Sequence, residues 1–195
     1  MKINLAGYLQ DVIQIPSPNF DERPSGTAIR LLVIHNISLP PNDFSGNAII
    51  ELFTNQLDDG AHPYYAGLRD LKVSSHFLIR RQGEIIQFVS CAKRAWHAGQ
   101  SCWQGVERCN DFSIGVELEG SDTIPFESIQ YIQLVALTKA LLKAYPITHI
   151  VGHADIAPTR KTDPGPFFDW QRFHEAIQAF TPVTTSTLPG IERSN

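Results

Sequence analysis

The chain has 195 residues, 43% hydrophobic and 18% charged, with a formal net charge of -4. That suits one folded domain with its own core and excludes a disordered chain. The acidic balance argues against nucleic acid as a partner, because phosphate neutralisation needs a basic surface, and no run approaches the roughly 20 apolar residues of a membrane helix.

Residues 1–28 are polar and turn-rich, with Pro16, Pro18, Pro24 and Gly26. They read as an arm wrapped on the domain. The first residues hold no continuous apolar core and meet Asp11, so they do not read as a secretory signal. Cys91, Cys102 and Cys109 are odd in number and lack CxxC spacing. Free thiols in a reducing cytoplasm are the expectation.

Residues 29–35 predict the first strand of the domain. Leu31, Leu32, Val33 and Ile34 form a continuous apolar run, the pattern of a strand buried on both faces. It ends at His35-Asn36, before the breaker Pro40-Pro41. A helix follows, capped by Ser45 or Asp43 and buried through Ala48, Ile49, Leu52 and Phe53. Residues 55–70 read as a loop. Residues 74–80 and 84–89 read as paired strands, with Gln82-Gly83 as the hairpin signal.

Residues 91–111 carry Trp96 and Trp103 and little periodicity. A loop of this length in a compact domain is usually functional. Residues 112–118 predict another strand, with Glu117 and Glu119 on one face. The longest helix spans residues 126–145, its apolar face made of Ile129, Ile132, Ala136 and Ala140, with Val135 and Leu141 beside them. A strand over residues 147–152 delivers His153, and a helix over residues 169–180 starts at the cap Asp169, with Trp170, Phe173, Ile177 and Phe180 inward. The tail 181–195 is rich in Thr, Ser and Pro. The expected architecture is therefore α/β (α+β-like). It is a single domain over residues 29–180, a central mixed sheet of about five strands packed by about three helices.

His35 and His153 share a context, since each follows an apolar strand and precedes a loop. If their strands are neighbours, both imidazoles sit at one sheet edge, and Asp163 can close a three-donor site from the Pro/Gly-rich loop. Two His and one carboxylate suit a catalytic Zn²⁺ with an open position. The alternatives are that each His is a hydrogen-bonding residue at a strand end, or that a Cys replaces Asp163.

Several runs then match a known family in order. They are His35-Asn36, Ser74-Ser75-His76-Phe77-Leu78-Ile79, Arg94-Ala95-Trp96-His97-Ala98-Gly99, residues 110–120 around Gly115-Val116-Glu117, and Gly152-His153 with Lys161-Thr162-Asp163-Pro164-Gly165. Over about residues 29–180 the chain resembles the zinc N-acetylmuramoyl-L-alanine amidases, most of all the cytoplasmic AmpD type that acts on 1,6-anhydro-muropeptides. The resemblance implies His35, His153 and Asp163 as zinc ligands, Glu117 as catalytic carboxylate and Lys161 as catalytic cation. It also implies a cytoplasmic enzyme of cell-wall recycling, linked to the signal that induces β-lactamase; a monomer is the default expectation.

Glu119 competes with Glu117 because it lies on the same face. Substrate contacts fall to Asn36, Trp96 and His97, and to Arg108 and Arg69 as forks for peptide carboxylates; each has a plain packing or surface alternative. His76 and His149 read as core or supporting residues. Two other functions stay in view. One is a module that binds peptidoglycan fragments without cutting them. The other is a zinc peptidase, although the His-Glu-x-x-His helix is absent.

Overall fold

A computed structural model describes residues 1–179. Along the chain run β1 (Ile13–Gln14), β2 (Phe20–Asp21), β3 (Leu31–Ile37), α1 (Ala48–Phe53), β4 (Phe77–Ile79), β5 (Ile85–Gln87) and β6 (Arg94–Ala95). Then come β7 (Cys102–Trp103), β8 (Val106–Glu107), β9 (Ser113–Glu119), α2 (Ser128–Ala144), β10 (His149–Gly152), α3 (His153–Ile156) and α4 (Trp170–Gln178). Six strands form one mixed sheet in the order β1-β5-β4-β9-β3-β10. Two-stranded pairs, β2 with β6 and β7 with β8, lie outside it.

The α/β architecture is the one the sequence pattern predicts, with one more strand and one more helix. The added strand is β1, which pairs in parallel with β5 from within the N-terminal segment. Two residues are too few to show a period. The added helix, α3, is a single turn. Phe180 and the tail at 181–195 lie outside the described residues. No helix among the described residues is long and apolar enough to cross a membrane.

β3 pairs in parallel with both β9 and β10. Flanked on both sides, its residues Leu31 to Ile34 are wholly buried, which is why the run is apolar without alternation. Leu32, Ile34, Ile114, Val116 and Leu118 join the large cluster under α2 and α4. Leu31 and Val33 pack on the other face with Ala98, Phe112, Val151 and Ile156. β4 and β5 form the expected hairpin, and Gly83 supplies its turn with a φ of 82°, a conformation that favours glycine.

α1 buries Ala48, Ile49, Leu52 and Phe53 as expected, but its cap is Asn47, without a side-chain bond. Asp43 instead accepts from the Ser45 N–H. α4 follows Asp169, whose carboxylate accepts from the Arg172 N–H at 2.9 Å. α2 buries Ala140 and Leu141 as predicted, but its first half turns a different face inward. Tyr131, Leu134, Leu137 and Leu141 are buried, while Ile129 and Ile132 are 37% and 60% exposed. The helix is apolar nearly all round, so spacing alone does not choose a face. Polar chemistry chooses it.

Gln130, fully buried, donates to the carbonyls of Ile79 at 3.2 Å and Glu119 at 3.0 Å. Its Oε1 accepts from the Glu127 N–H at 3.0 Å. It therefore ties the start of α2 to the ends of β4 and β9. Arg23 plays a similar part for the N-terminal segment. Its guanidinium is buried and donates to the carbonyls of Cys91, Asn110, Asp111 and Ser113. Burial pushes its pKa down to about 10, so it stays a cation at neutral pH.

Gln130→Ala strips a donor from two buried carbonyls and a partner from a helix N-terminus. The expected loss is about 1–3 kcal/mol of stability, read as a lower urea midpoint with an unchanged slope. An unchanged midpoint would show that Gln130 only fills space.

Candidate metal centre

Parallel pairing brings strand ends together. His35 lies opposite Glu117 in the β3–β9 register. Gly152 lies opposite Ile34, so His153 follows one step beyond, at the level of His35. The loop after α3 then returns Asp163. In open α/β sheets this carboxyl-end edge is where ligands bind.

The three side chains meet. His35 Nδ1 is 3.0 Å from His153 Nδ1 and 3.0 Å from Asp163 Oδ2. His153 Nδ1 is 3.1 Å from the same carboxylate oxygen. His35, His153 and Asp163 are a group that could hold a metal ion.

Donor chemistry tests that fit. His153 Nε2 lies 3.1 Å from the Ala98 carbonyl, an acceptor, so this nitrogen carries the ring hydrogen. Nδ1 of the neutral ring is then an electron pair, aimed at a carboxylate. Two electron-pair donors at this distance repel unless a cation lies between them. A tetrahedral ion about 2.0–2.1 Å from each donor would hold them about 3.3 Å apart. The residues fit a small divalent ion with nitrogen and oxygen donors.

The charge states agree. Burial pushes His35 down to about 4 against the opposing pull of Asp163, so the ring is neutral at physiological pH. Burial works against ionisation of Asp163, but without an ion between them an imidazole that presents its Nδ1–H to Asp163 holds the carboxyl well below its usual range. Glu117 is the opposite case. Burial and then the Asp163 charge push its pKa well above the ordinary value, with Lys161 opposing. Its Oε1 is 4.0 Å from His35 Nδ1, and its Oε2 is buried without a hydrogen-bond partner. Such a carboxyl holds a proton more readily than a surface glutamate.

Other sequence candidates land in several places. Lys161 is half-buried in the returning loop, and its charge acts on both His35 and Glu117. Glu119 does not compete with Glu117, because it accepts from the Arg81 N–H and pairs with Arg80 at 3.3 Å. Asn36 donates to Asp122 at 2.7 Å and to the Pro164 carbonyl at 3.0 Å, so it clamps the loop that bears Asp163. Trp96 lies by Asp21 and helps to lower the pKa of that carboxyl. His97 is not at the surface: it is 9% exposed and lies behind His35.

Arg69 and Arg108 are exposed and pair with Asp59 and Asp111. Among the described residues neither bonds to the cluster. Trp103 packs edge-on to His149 at the far end of β10. His76 is buried, accepting from the Gly115 N–H.

Several supporting residues escape a reading by residue type. Asn110 accepts from the N–H groups of His97 and Ala98. Arg160 donates to the Ala98 and Gln100 carbonyls. Gly152 leaves room for Pro164, whose Cδ would lie 2.7 Å from an added Cβ. The available signal was a glycine inside a strand, which marks close approach by another group; Gly115 and Gly152 both are.

Known proteins resemble this chain in sequence and fold. The family model described as N-acetylmuramoyl-L-alanine amidase matches residues 25–166. The 1,6-anhydro-N-acetylmuramyl-L-alanine amidase AmpD of Citrobacter freundii is 56% identical over 173 residues, covering 88% of this chain and 92% of its own. The protein of the same name from Escherichia coli K12 is 54% identical over 177 residues, covering 90% and 97%. A crystal structure of a selenomethionine AmpD derivative superposes with a TM-score of 0.88 at 55% identity, over 91% of this chain and 99% of its own. The amidase AmiD of E. coli, solved with its substrate anhydro-N-acetylmuramic acid-L-Ala-D-γ-Glu-L-Lys, reaches 0.55 at 34% identity, over 81% of this chain and 65% of its own. With a match that runs from before β3 to beyond Asp163, the chain belongs to the N-acetylmuramoyl-L-alanine amidase family.

Proposed function

We propose that this chain is a zinc amidase. It hydrolyses the amide between the lactyl group of 1,6-anhydro-N-acetylmuramic acid and L-alanine in muropeptides. One observation carries the reading: two imidazole nitrogens and a carboxylate oxygen converge within 3.1 Å, beside a buried carboxyl with an unpartnered oxygen. The names of the relatives supply the substrate class. The same reading makes it a monomeric cytoplasmic enzyme that recycles small wall fragments.

His35, His153 and Asp163 would hold the ion. When bound, zinc supplies Lewis acidity to the scissile carbonyl and to the attacking water. The chain's own residues do the rest. Glu117 takes a proton from the water as its oxygen bonds to the carbonyl carbon. It then gives that proton to the departing nitrogen as the C–N bond breaks. The products are a lactyl carboxylic acid and a peptide with a free L-alanine amine. Lys161 faces the developing negative charge on the carbonyl oxygen. Asn36 keeps the Asp163 loop in register with β3.

Purified anhydro-muropeptide digested with the protein should release free peptide, detected by mass. A chelator should stop the release and zinc should restore it. Binding without cleavage would leave a recognition module in place of an enzyme. Glu117→Gln should retain zinc and lower kcat by about 10²–10⁴-fold. Near-normal kcat in that variant would reject Glu117 as the proton carrier.

A further inference from the structure

The segment behind the ligands, rather than the ligands themselves, selects which ring nitrogens are free to bind. Resting on the reading that His35, His153 and Asp163 hold a divalent ion, we propose that His97 is a positioning residue. It accepts the Nε2 hydrogen of His35 and so leaves His35 Nδ1 as the electron-pair donor.

A neutral imidazole has one N–H and one bare nitrogen. His35 Nδ1 faces His153 and Asp163, so ligation requires its hydrogen on Nε2. His35 Nε2 lies 3.0 Å from His97 Nδ1. His97 Nδ1 must then be bare, which puts its own hydrogen on Nε2. That nitrogen lies 3.1 Å from Ser113 Oγ, an acceptor of the right kind. The hydrogen-bond direction is thus consistent along the whole line, from His35 through His97 to Ser113.

His153 reaches the same tautomer through the neighbouring residue, because its Nε2 faces the Ala98 carbonyl at 3.1 Å. Two consecutive residues therefore orient both imidazole ligands, one with a side chain and one with a carbonyl. Asn110 Oδ1 holds both backbone N–H groups, at 3.2 and 2.8 Å. The ring of His97 has a seat made for it. A Cβ at Gly115 would lie 2.5 Å from His97 Cγ, so only glycine at that point of β9 leaves the space. Ligating histidines commonly pass their second N–H to a carboxylate, carbonyl or water; here one of them passes it to another imidazole.

Zinc competition against a chromogenic chelator tests this on wild type, His97→Leu and His97→Asn. Leu removes the acceptor and leaves a buried N–H unpaired. Asn keeps an acceptor oxygen near the position of Nδ1. The expected result is one zinc per wild-type chain, an affinity about 10–100-fold weaker in His97→Leu, and recovery of most of that loss in His97→Asn. Equal affinities in all three overturn the proposal. A wild type that takes up no zinc overturns the metal reading itself, and this one with it. Zinc-loaded wild type labelled with ¹⁵N-histidine gives an independent readout. A scalar coupling across the hydrogen bond between His35 Nε2 and His97 Nδ1 is expected, and its absence rejects the assignment whatever the variants do.

Discussion

Parallel pairing of β3 with β9 on one side and β10 on the other is the constraint everything else obeys. Side chains alternate along a strand, so the register that buries Leu32 and Ile34 under α2 and α4 must turn Leu31, Val33 and His35 the other way. A slip of one residue would send the imidazole into the large apolar cluster and expose that cluster's own residues. The hydrophobic pattern thus fixes the position of His35 without any help from a ligand. The same register sets Glu117 across from it and brings His153 to the same edge.

Within that edge, the pKa values of two carboxyl groups a short distance apart are pushed in opposite directions. Asp163 touches two ring nitrogens, and a hydrogen on either of them holds its pKa down despite burial. Glu117 has one oxygen with no hydrogen-bond partner among the described residues, so burial dominates and raises its pKa. Paired titratable groups pushed apart by their surroundings are the usual way for one site to contain a fixed charge and a mobile proton. Contact with imidazole, rather than residue type, draws the distinction.

Much of this was legible before any coordinates. The apolar run ending in His35, the strand ending in His153 and the constrained loop with Lys161 and Asp163 each carry their own local signal. Gln82-Gly83 marks its hairpin because a positive φ is a property of single residues. Other features depend on distant partners. β1 exists only because β5 offers it an edge. The inward face of α2 is decided by where Gln130 finds two carbonyls. His97 stood out in its motif, but residue type cannot say whether a ring looks outward or backward, and here Gly115 draws it back. Asn110 and Arg160 bond mainly to backbone groups, which no side-chain pattern reveals.

Arg23 extends the centre's dependence into the first two dozen residues. Its donors hold the Asn110, Asp111 and Ser113 carbonyls. Asn110 steadies the segment behind both imidazoles, and Ser113 closes the line from His97. The opening segment is therefore no neutral handle for protein engineering. Trimming the chain past Arg23, or splicing a fusion junction there, would loosen the segment that backs His35 and His153.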